Sequence, residues 1–297
     1  MRSMHRAVVS GITGHLGVEV ARQLVAAGVE VFGLTRQHGA LDHPVVASAN
    51  LRRIDGCTET LLGIFEELRP DTVFHLAGLS RRTHRSEDIV PFVEANILLG
   101  TQILEAMRLS GCGRIITAGT YLQHFDTAEY RAFNLYAATK QAFESLLAYY
   151  VEEHGLTAVR LTLCDIYSEH DKRPKLMTDI VNSWASATPL HLRDARARID
   201  LIHVADAAAA FLQAARLIES AVIPCQTLTR YSVSSGRDLT SSELVELFAR
   251  VSGKALNVVK GNAAGVRNLT PWRGAGMPGW MPRISLEDGI VRILQSR

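Results

Sequence analysis

Three glycines at intervals of three, Gly11, Gly14 and Gly17, stand between a β-branched run, Ala7-Val8-Val9, and an apolar-periodic stretch that begins near Leu16. That order of strand, turn and helix constrains the chain more than any other feature. Glycines let the backbone reverse tightly and bring the N–H groups of a helix N-terminus up against an anion, which side chains would hold off. The segment Gly11 to Gly17, with Thr13, His15 and Leu16 inside it, is therefore a candidate cradle for the pyrophosphate of a dinucleotide. A glycine triplet alone is only a turn; the strand before it and the helix after it give the reading its weight.

From the start to about Leu163, short β-branched runs alternate with helical patterns, as in βαβ units of a parallel sheet. Strands are expected at Arg6–Ser10, Glu30–Thr35, Leu51–Asp55, Thr72–Leu76, Arg114–Ala118 and Thr157–Leu163, with helices beginning near Leu16, Thr58, Val90 and Tyr136. Right-handed crossovers then give an α/β fold with a doubly wound parallel sheet of the Rossmann type, its ligands beyond the carboxyl ends of the strands. After Leu163 the alternation weakens, with helices expected near Lys175–Ala187 and Thr240–Val251. We read 1–165 as the nucleotide-binding domain, 166–297 as mostly a smaller mixed α/β substrate lobe, and 198–220 as a return to the main body.

Charge narrows the partners. The 32 basic and 30 acidic residues leave a net charge of +2 and form no basic arm, so nucleic acid is not an expected partner. Apolar stretches such as Ala205 to Leu217 are broken by Asp206, Gln213 and Arg216 and fall short of the roughly 20 apolar residues of a membrane span, so no membrane association is expected. The first residues run directly into a strand without a signal peptide's apolar core, and a cytoplasmic protein is expected. Cys57, Cys112, Cys164 and Cys225 lack paired short spacings, so they read as reduced thiols rather than a metal site or disulfides.

Two further features carry chemistry. The second strand ends Leu34-Thr35-Arg36, without the acidic residue that accepts the ribose hydroxyls of NAD. Arg36 offers a planar fork of donors that suits a 2′-phosphate, so NADP(H) is favoured over NAD. Asp55, followed by Gly56, either accepts from the adenine amine or simply ends its strand. The run Asn134-Leu135-Tyr136-Ala137-Ala138-Thr139-Lys140 places Tyr136 and Lys140 four apart on one helix face. A tyrosine with its ordinary pKa of about 10 is a poor base at neutral pH, but a nearby ammonium favours the phenolate. Tyr136 could then exchange a proton with a substrate oxygen while Lys140 holds a ribose.

Taken together, these features resemble the extended short-chain dehydrogenase/reductase family of nucleotide-sugar epimerases, dehydratases and reductases, over nearly the whole chain. Asp71 to Ala77, Asn96 within Glu94-Ala95-Asn96-Ile97, and Arg198 to Asp206 carry the resemblance further. It implies that Leu76, Ala77, Gly78, Asn96 and Leu163 join Tyr136 and Lys140 around the cofactor. Gly119 to His124, Asn134 to Lys140, Arg173-Pro174-Lys175 and Pro271-Trp272 are similar to the branch of CDP-paratose and CDP-abequose synthases, sugar-nucleotide 4-ketoreductases. By that similarity, NADPH delivers hydride to the C4 ketone of a CDP- or dTDP-linked 4-keto-deoxysugar and Tyr136 donates the proton.

One departure stands at the end of the fifth strand, where the family has a serine or threonine and this chain has Ala118. Thr120 shares Ala118's face if the strand continues that far, and is then the candidate hydroxyl; Thr117 points away. The family's 4,6-dehydratases carry an Asp-Glu pair where Gly119 and Thr120 stand here, so elimination is disfavoured and reduction or C4 epimerisation remains. Arg81, Arg82, Arg173 and Lys175 are candidates to face the substrate's diphosphate, with Thr120 and Tyr121 near its sugar. His75 and His203 read as structural, and Trp272 and Trp280 either cover the pocket or pack the tail. A C4 epimerase, a reductase of a non-nucleotide ketone and an NADP-binding regulator without turnover stay open. Family members also pair long helices into dimers, and Ile97–Met107 with Ala142–Val151 would serve a homodimer here.

Overall fold

The structure is a computed structural model and describes residues 4–36, 45, 47, 50–124, 127–261 and 271–297. Its main sheet has seven strands: β1 (Arg6–Ser10), β2 (Glu30–Thr35), β3 (Leu51–Arg53), β4 (Thr72–His75), β5 (Arg114–Thr120), β6 (Thr157–Leu163) and β10 (Leu228–Val233). Every pairing in it is parallel, in the order β10-β6-β5-β4-β1-β2-β3. The order reverses between β1 and β4, which opens a crevice at their carboxyl ends.

Parallel strands covered on both faces are apolar on both, and the pairs Val8–Val9, Ile115–Ile116 and Ala158–Val159 are fully buried. Helices α1 (His15–Ala26) and α7 (Val204–Glu219) cover one face with Val20, Leu24 and Phe211. Helices α2 (Thr58–Leu68), α4 (Leu99–Ser110) and α5 (Leu135–His154) cover the other with Phe65, Leu104, Phe143 and Leu147. The helical run Ser86–Ser110, which takes in α3 (Ile89–Val93), one π-type turn and α4, is long and apolar enough to cross a membrane by length and composition. Sequence reading passed over it. In the fold, Gly100, Ile103, Leu104, Ala106 and Met107 of this run are buried in the protein core.

The lobe has its own core, built from Met177 and Ile180 of α6 (Leu176–Ser186), Leu244 and Phe248 of α8 (Ser241–Ser252) and Ile290 of α9 (Leu286–Gln295). Beside it lie a three-stranded sheet, β11-β9-β7 (Asp238–Thr240, Arg198–His203 and Asp165–Tyr167), and a two-stranded one, β12-β8 (Val258–Lys260 and Leu190–Leu192). The segment 198–220 therefore divides: β9 stays with the small sheet, while α7 packs on α1. A later segment, β10, supplies the seventh strand of the main sheet by pairing with β6. Strand β3 stops two residues short of the expected Asp55, and β5 runs two residues past Ala118, because Gly119 and Thr120 go on pairing with Thr162 and Leu163.

Candidate active site

The glycine turn fits the crevice only without side chains. Gly11 has φ +72, in the left-handed region, and a Cβ there would lie 2.7 Å from the backbone nitrogen of Ala77, just past β4. A Cβ at Gly17 would run into the Gly11 carbonyl. Gly14 is the N-cap of α1 and has no side chain to bond the first-turn N–H groups, which leaves them uncapped by it, as an anion site requires. Thr13 is exposed on the turn, while Leu16 and Leu76 pack against the core beneath it. At the switch point the Ser10 hydroxyl is 2.8 Å from His75 Nδ1 and accepts the Ala77 N–H.

His75 is fully buried, its ring against Phe143, and burial with Lys140 nearby holds its pKa down near 3, so it is neutral. His15, the first residue of α1, is held near 4 by burial and by Arg173, against the opposing pull of Asp171. Neutral imidazoles thus line a turn whose charge comes from backbone dipoles and nearby cations.

At the end of β2, Arg36 is exposed, where it can meet a phosphate. Asp55 accepts the Cys57 N–H and the Thr60 hydroxyl, both at 2.9 Å, and these bonds hold its carboxyl below the usual range. It ties the segment after β3 to the first turn of α2. Gly56, with φ +93, gives its carbonyl to Gln102.

Asn96 is buried and fully committed: its Oδ1 accepts the Leu79 N–H at 2.7 Å, and its Nδ2 donates to the Leu79 carbonyl and the Thr139 hydroxyl. It ties the loop after β4 to α5. A Cβ on Gly78 would lie 3.0 Å from Asn96 Oδ1 and 3.2 Å from Lys140 Nζ, so a side chain there would press on both groups.

Helix α5 starts at Asn134, whose side chain accepts the Ala137 N–H at 2.9 Å and fixes the first turn on which Tyr136 stands. Burial pushes the Tyr136 phenol up to about 12; Arg160, Arg173 and a hydrogen bond with Ser80 act against that, and Asp165 acts with it. Lys140 is buried, its Nζ 3.5 Å from the Ala77 carbonyl, and burial with the nearby Arg160 lowers its pKa to about 8. The structure brings together a protonated phenol, a hydroxyl and an ammonium poised near neutrality, a set able to pass one proton to or from a bound oxygen.

Thr120 is buried and lies within β5, and its hydroxyl accepts the Leu122 N–H at 3.3 Å, capping the short turn that follows. A second hydroxyl, that of Ser80 in the loop after β4, acts to lower the Tyr136 phenol; sequence reading missed it because it lies in a loop without periodicity. Ala118 packs on the α1–α7 side of the sheet, and Leu163 is buried at the end of β6. Tyr121 donates to Asp165 at 3.0 Å, and Lys175 pairs with the same carboxylate at 2.8 Å. Burial would raise Asp165, but Lys175 and Tyr121 together hold it below the usual carboxylate range.

Of the four cations expected to face a diphosphate, three have carboxylate partners: Arg81 with Asp88 at 2.7 Å, Arg173 with Asp171 at 2.6 Å, and Lys175 with Asp165. Arg82 is exposed beside the start of α5, where its carbonyl accepts from Asn134. Arg173 and Lys175 still border the glycine turn through their influence on His15. His203 bonds Glu169 and caps α7; Trp272 stacks on His124 with ring centres 3.9 Å apart, and Trp280 donates to the Asp206 carbonyl. Cys57 and Cys225 are exposed, Cys112 and Cys164 buried, and all are free.

A glycine turn at a sheet's switch point, with a half-buried tyrosine and a buried lysine beyond it, defines an oxidoreductase-type site. Residues 7–224 match the NAD dependent epimerase/dehydratase family, and the chain belongs to it, as an extended short-chain dehydrogenase/reductase enzyme. It is 21% identical to a CDP-abequose synthase of Salmonella muenchen over 98% of this chain and 97% of that protein. It is 24% identical to a UDP-glucose 4-epimerase of Mycolicibacterium smegmatis, over 98% of this chain and 97% of that one. Among solved structures, the UDP-glucose 4-epimerase from Brucella ovis in complex with NAD superposes with a TM-score of 0.83 at 20% identity, covering 97% of each chain.

Proposed function

We propose that the chain is an NADPH-dependent reductase of the C4 ketone of a nucleotide-linked 4-keto-deoxysugar. The observation that carries the reading is Tyr136, held protonated beside the Ser80 hydroxyl and one helical turn before Lys140, as a proton donor to a ketone must be. Bound NADPH supplies the hydride. Tyr136 gives its proton to the oxygen that the hydride turns into an alkoxide, and Lys140, charged below about pH 8, favours the phenolate left behind. Ser80 holds the phenol's orientation, and Asn96 keeps the loop carrying Ser80 against α5. Arg36, exposed at the end of a second strand whose closing run Leu34-Thr35-Arg36 carries no acid, favours the 2′-phosphate of NADP. The reading assigns Arg82, exposed beside the start of α5, to the substrate's diphosphate, and Tyr121, bonded to Asp165, to the sugar side. The similarity to CDP-abequose synthases supports a sugar-nucleotide substrate.

The second reading is a C4 epimerase, supported by the similarity to UDP-glucose 4-epimerases. Net cofactor consumption separates the two, since an epimerase regenerates its cofactor each turn. With CDP- and dTDP-4-keto-6-deoxysugars, the wild type is expected to oxidise NADPH stoichiometrically. Tyr136→Phe is expected to lose turnover by about a hundredfold or more while binding NADPH as before. Tight cofactor binding with no consumption on any ketosugar, but exchange of C4 configuration, would select the epimerase.

A further inference from the structure

Tyr136, Lys140 and Glu144 recur at intervals of four along α5 and so form one stripe, each about 6 Å further along the axis. Glu144 is buried, and Arg160 of β6, also buried, meets it with Nε at 2.6 Å. The remaining donors of Arg160 reach the Thr162 hydroxyl at 3.0 Å and the Gln123 side-chain carbonyl. That same Gln123 oxygen accepts the Thr120 N–H at 3.2 Å. One guanidinium therefore joins three elements that build the site: α5, the turn after β5, and the strand that leads to Asp165. Space is kept for it by Gly119, where a Cβ would fall inside contact distance of the guanidinium.

We propose that Arg160 is a positioning residue for Tyr136 and Lys140: a fixed cation built under the reacting pair and clamped between α5 and the end of β5 by Glu144 and Gln123. The inference rests on the role given to that pair above. A buried ion pair brings little net stability compared with apolar side chains of the same bulk, so stability alone gives no reason for the arrangement. The charges do not cancel either. Glu144 also pairs with Arg230 at 2.6 Å and accepts from Tyr130, so two guanidiniums face one carboxylate and one positive charge is left over. Around Lys140, His75 from β4 is neutral, Asn96 is uncharged, and Arg160 is the charge that acts on the ammonium. Around Tyr136, Arg160 from β6 acts ahead of Asp165 and Arg173 from the segment after β6, and Ser80 from the loop after β4 adds its hydroxyl. Arg160 thus eases the Lys140 proton off and favours the Tyr136 phenolate, in both cases by repelling or attracting charge at a fixed place.

The chain contains five lysines, so the titration of Lys140 can be followed by NMR of isotope-labelled lysine, its resonance assigned by its loss in Lys140→Arg. This readout needs no substrate. In the wild type Lys140 is expected to titrate near 8. Arg160→Met leaves Glu144 paired with Arg230 and is expected to raise the Lys140 midpoint by about one pH unit, with kcat at pH 7 about tenfold lower and KM little changed. Arg160→Lys, which keeps the charge but not the fork, is expected to restore the midpoint and part of kcat. Where Arg160→Met alone fails to fold, Arg160→Gln, which keeps a donor toward Glu144 and Gln123 but not the charge, carries the same measurement. A Lys140 midpoint unmoved in the folded variant overturns the proposal even where ketosugar turnover is found. A shifted midpoint without any ketosugar turnover upholds it and counts against the reductase reading instead.

Discussion

At the glycine-turn end of the cleft, Gly11, Gly14 and Gly17 present bare backbone, and their fit against Ala77 and the Gly11 carbonyl is set by the absence of Cβ atoms. At the reacting end every working group is a side chain, and Tyr136, Lys140, Glu144 and Arg160 owe their properties to burial and to each other's charge. The first construction is steric and tolerates no added atom. The second is electrostatic and is graded, because each charge acts over several ångströms and removing one leaves the others in place.

The contrast can be broken most forcefully at Gly17. Gly17→Ala puts a methyl group into the Gly11 carbonyl and is expected to cost at least a hundredfold in cofactor affinity, with loss of several degrees in Tm, both readable by thermal shift with and without NADPH. Full cofactor affinity in that variant would show that the turn is not steric. Arg36→Ala probes the same end by charge alone: removing a charge-assisted bond of about 1.5–3 kcal/mol should weaken NADPH by about 10- to 100-fold and leave NADH nearly unchanged. Equal losses for both cofactors would assign Arg36 to the surface.

The smallest effect sharpens the comparison through pH. His15 and His75 have folded pKa values near 4 and 3, well below the unfolded 6.5. The unfolded chain therefore takes up protons first as pH falls, and stability that is complete above about 6.5 is lost progressively toward 4. His75→Asn, which keeps a polar partner for Ser10, should lower Tm at pH 7.5 yet flatten its decline between pH 6.5 and 4.5. An unchanged slope would place the acid sensitivity elsewhere.

The two ends also differ in how far the sequence discloses them. Spacing along the chain marks the glycine turn and the Tyr136–Lys140 pair, because local geometry makes both. Asn96 was legible only by resemblance, and its fully used amide explains why an asparagine stands there. Ser80 was not legible: nothing in the run after β4 distinguishes a hydroxyl that meets Tyr136 from one that meets water. Arg160 left a signal that went unused, a lone charge inside the otherwise uncharged run Ala158 to Leu163, which demands a buried partner; Glu144, eight residues beyond Tyr136 on its helix, supplies it. The cations expected to face a phosphate were legible only as donors, without their partners. Sequence shows the forks of Arg81 and Arg173 but not the carboxylates of Asp88 and Asp171 that fill them. Strand β10 reads like the short segments around it, and only its register against β6 assigns it to the main sheet.

Gly119 has a consequence for how this chain can change. By the family resemblance its place belongs, in the 4,6-dehydratases, to the acidic residue that assists elimination. Here any side chain at 119 meets a guanidinium that is held on three sides and has no room to swing away. Acquiring the eliminating acid therefore demands that residue 160 change with it, and losing Arg160 takes from Gln123 one of three partners, the others being the Thr120 N–H and Glu144. The acidic pair that the resemblance places at 119 and 120 in the dehydratases is thus within reach of this chain only together with a third, coupled substitution at 160.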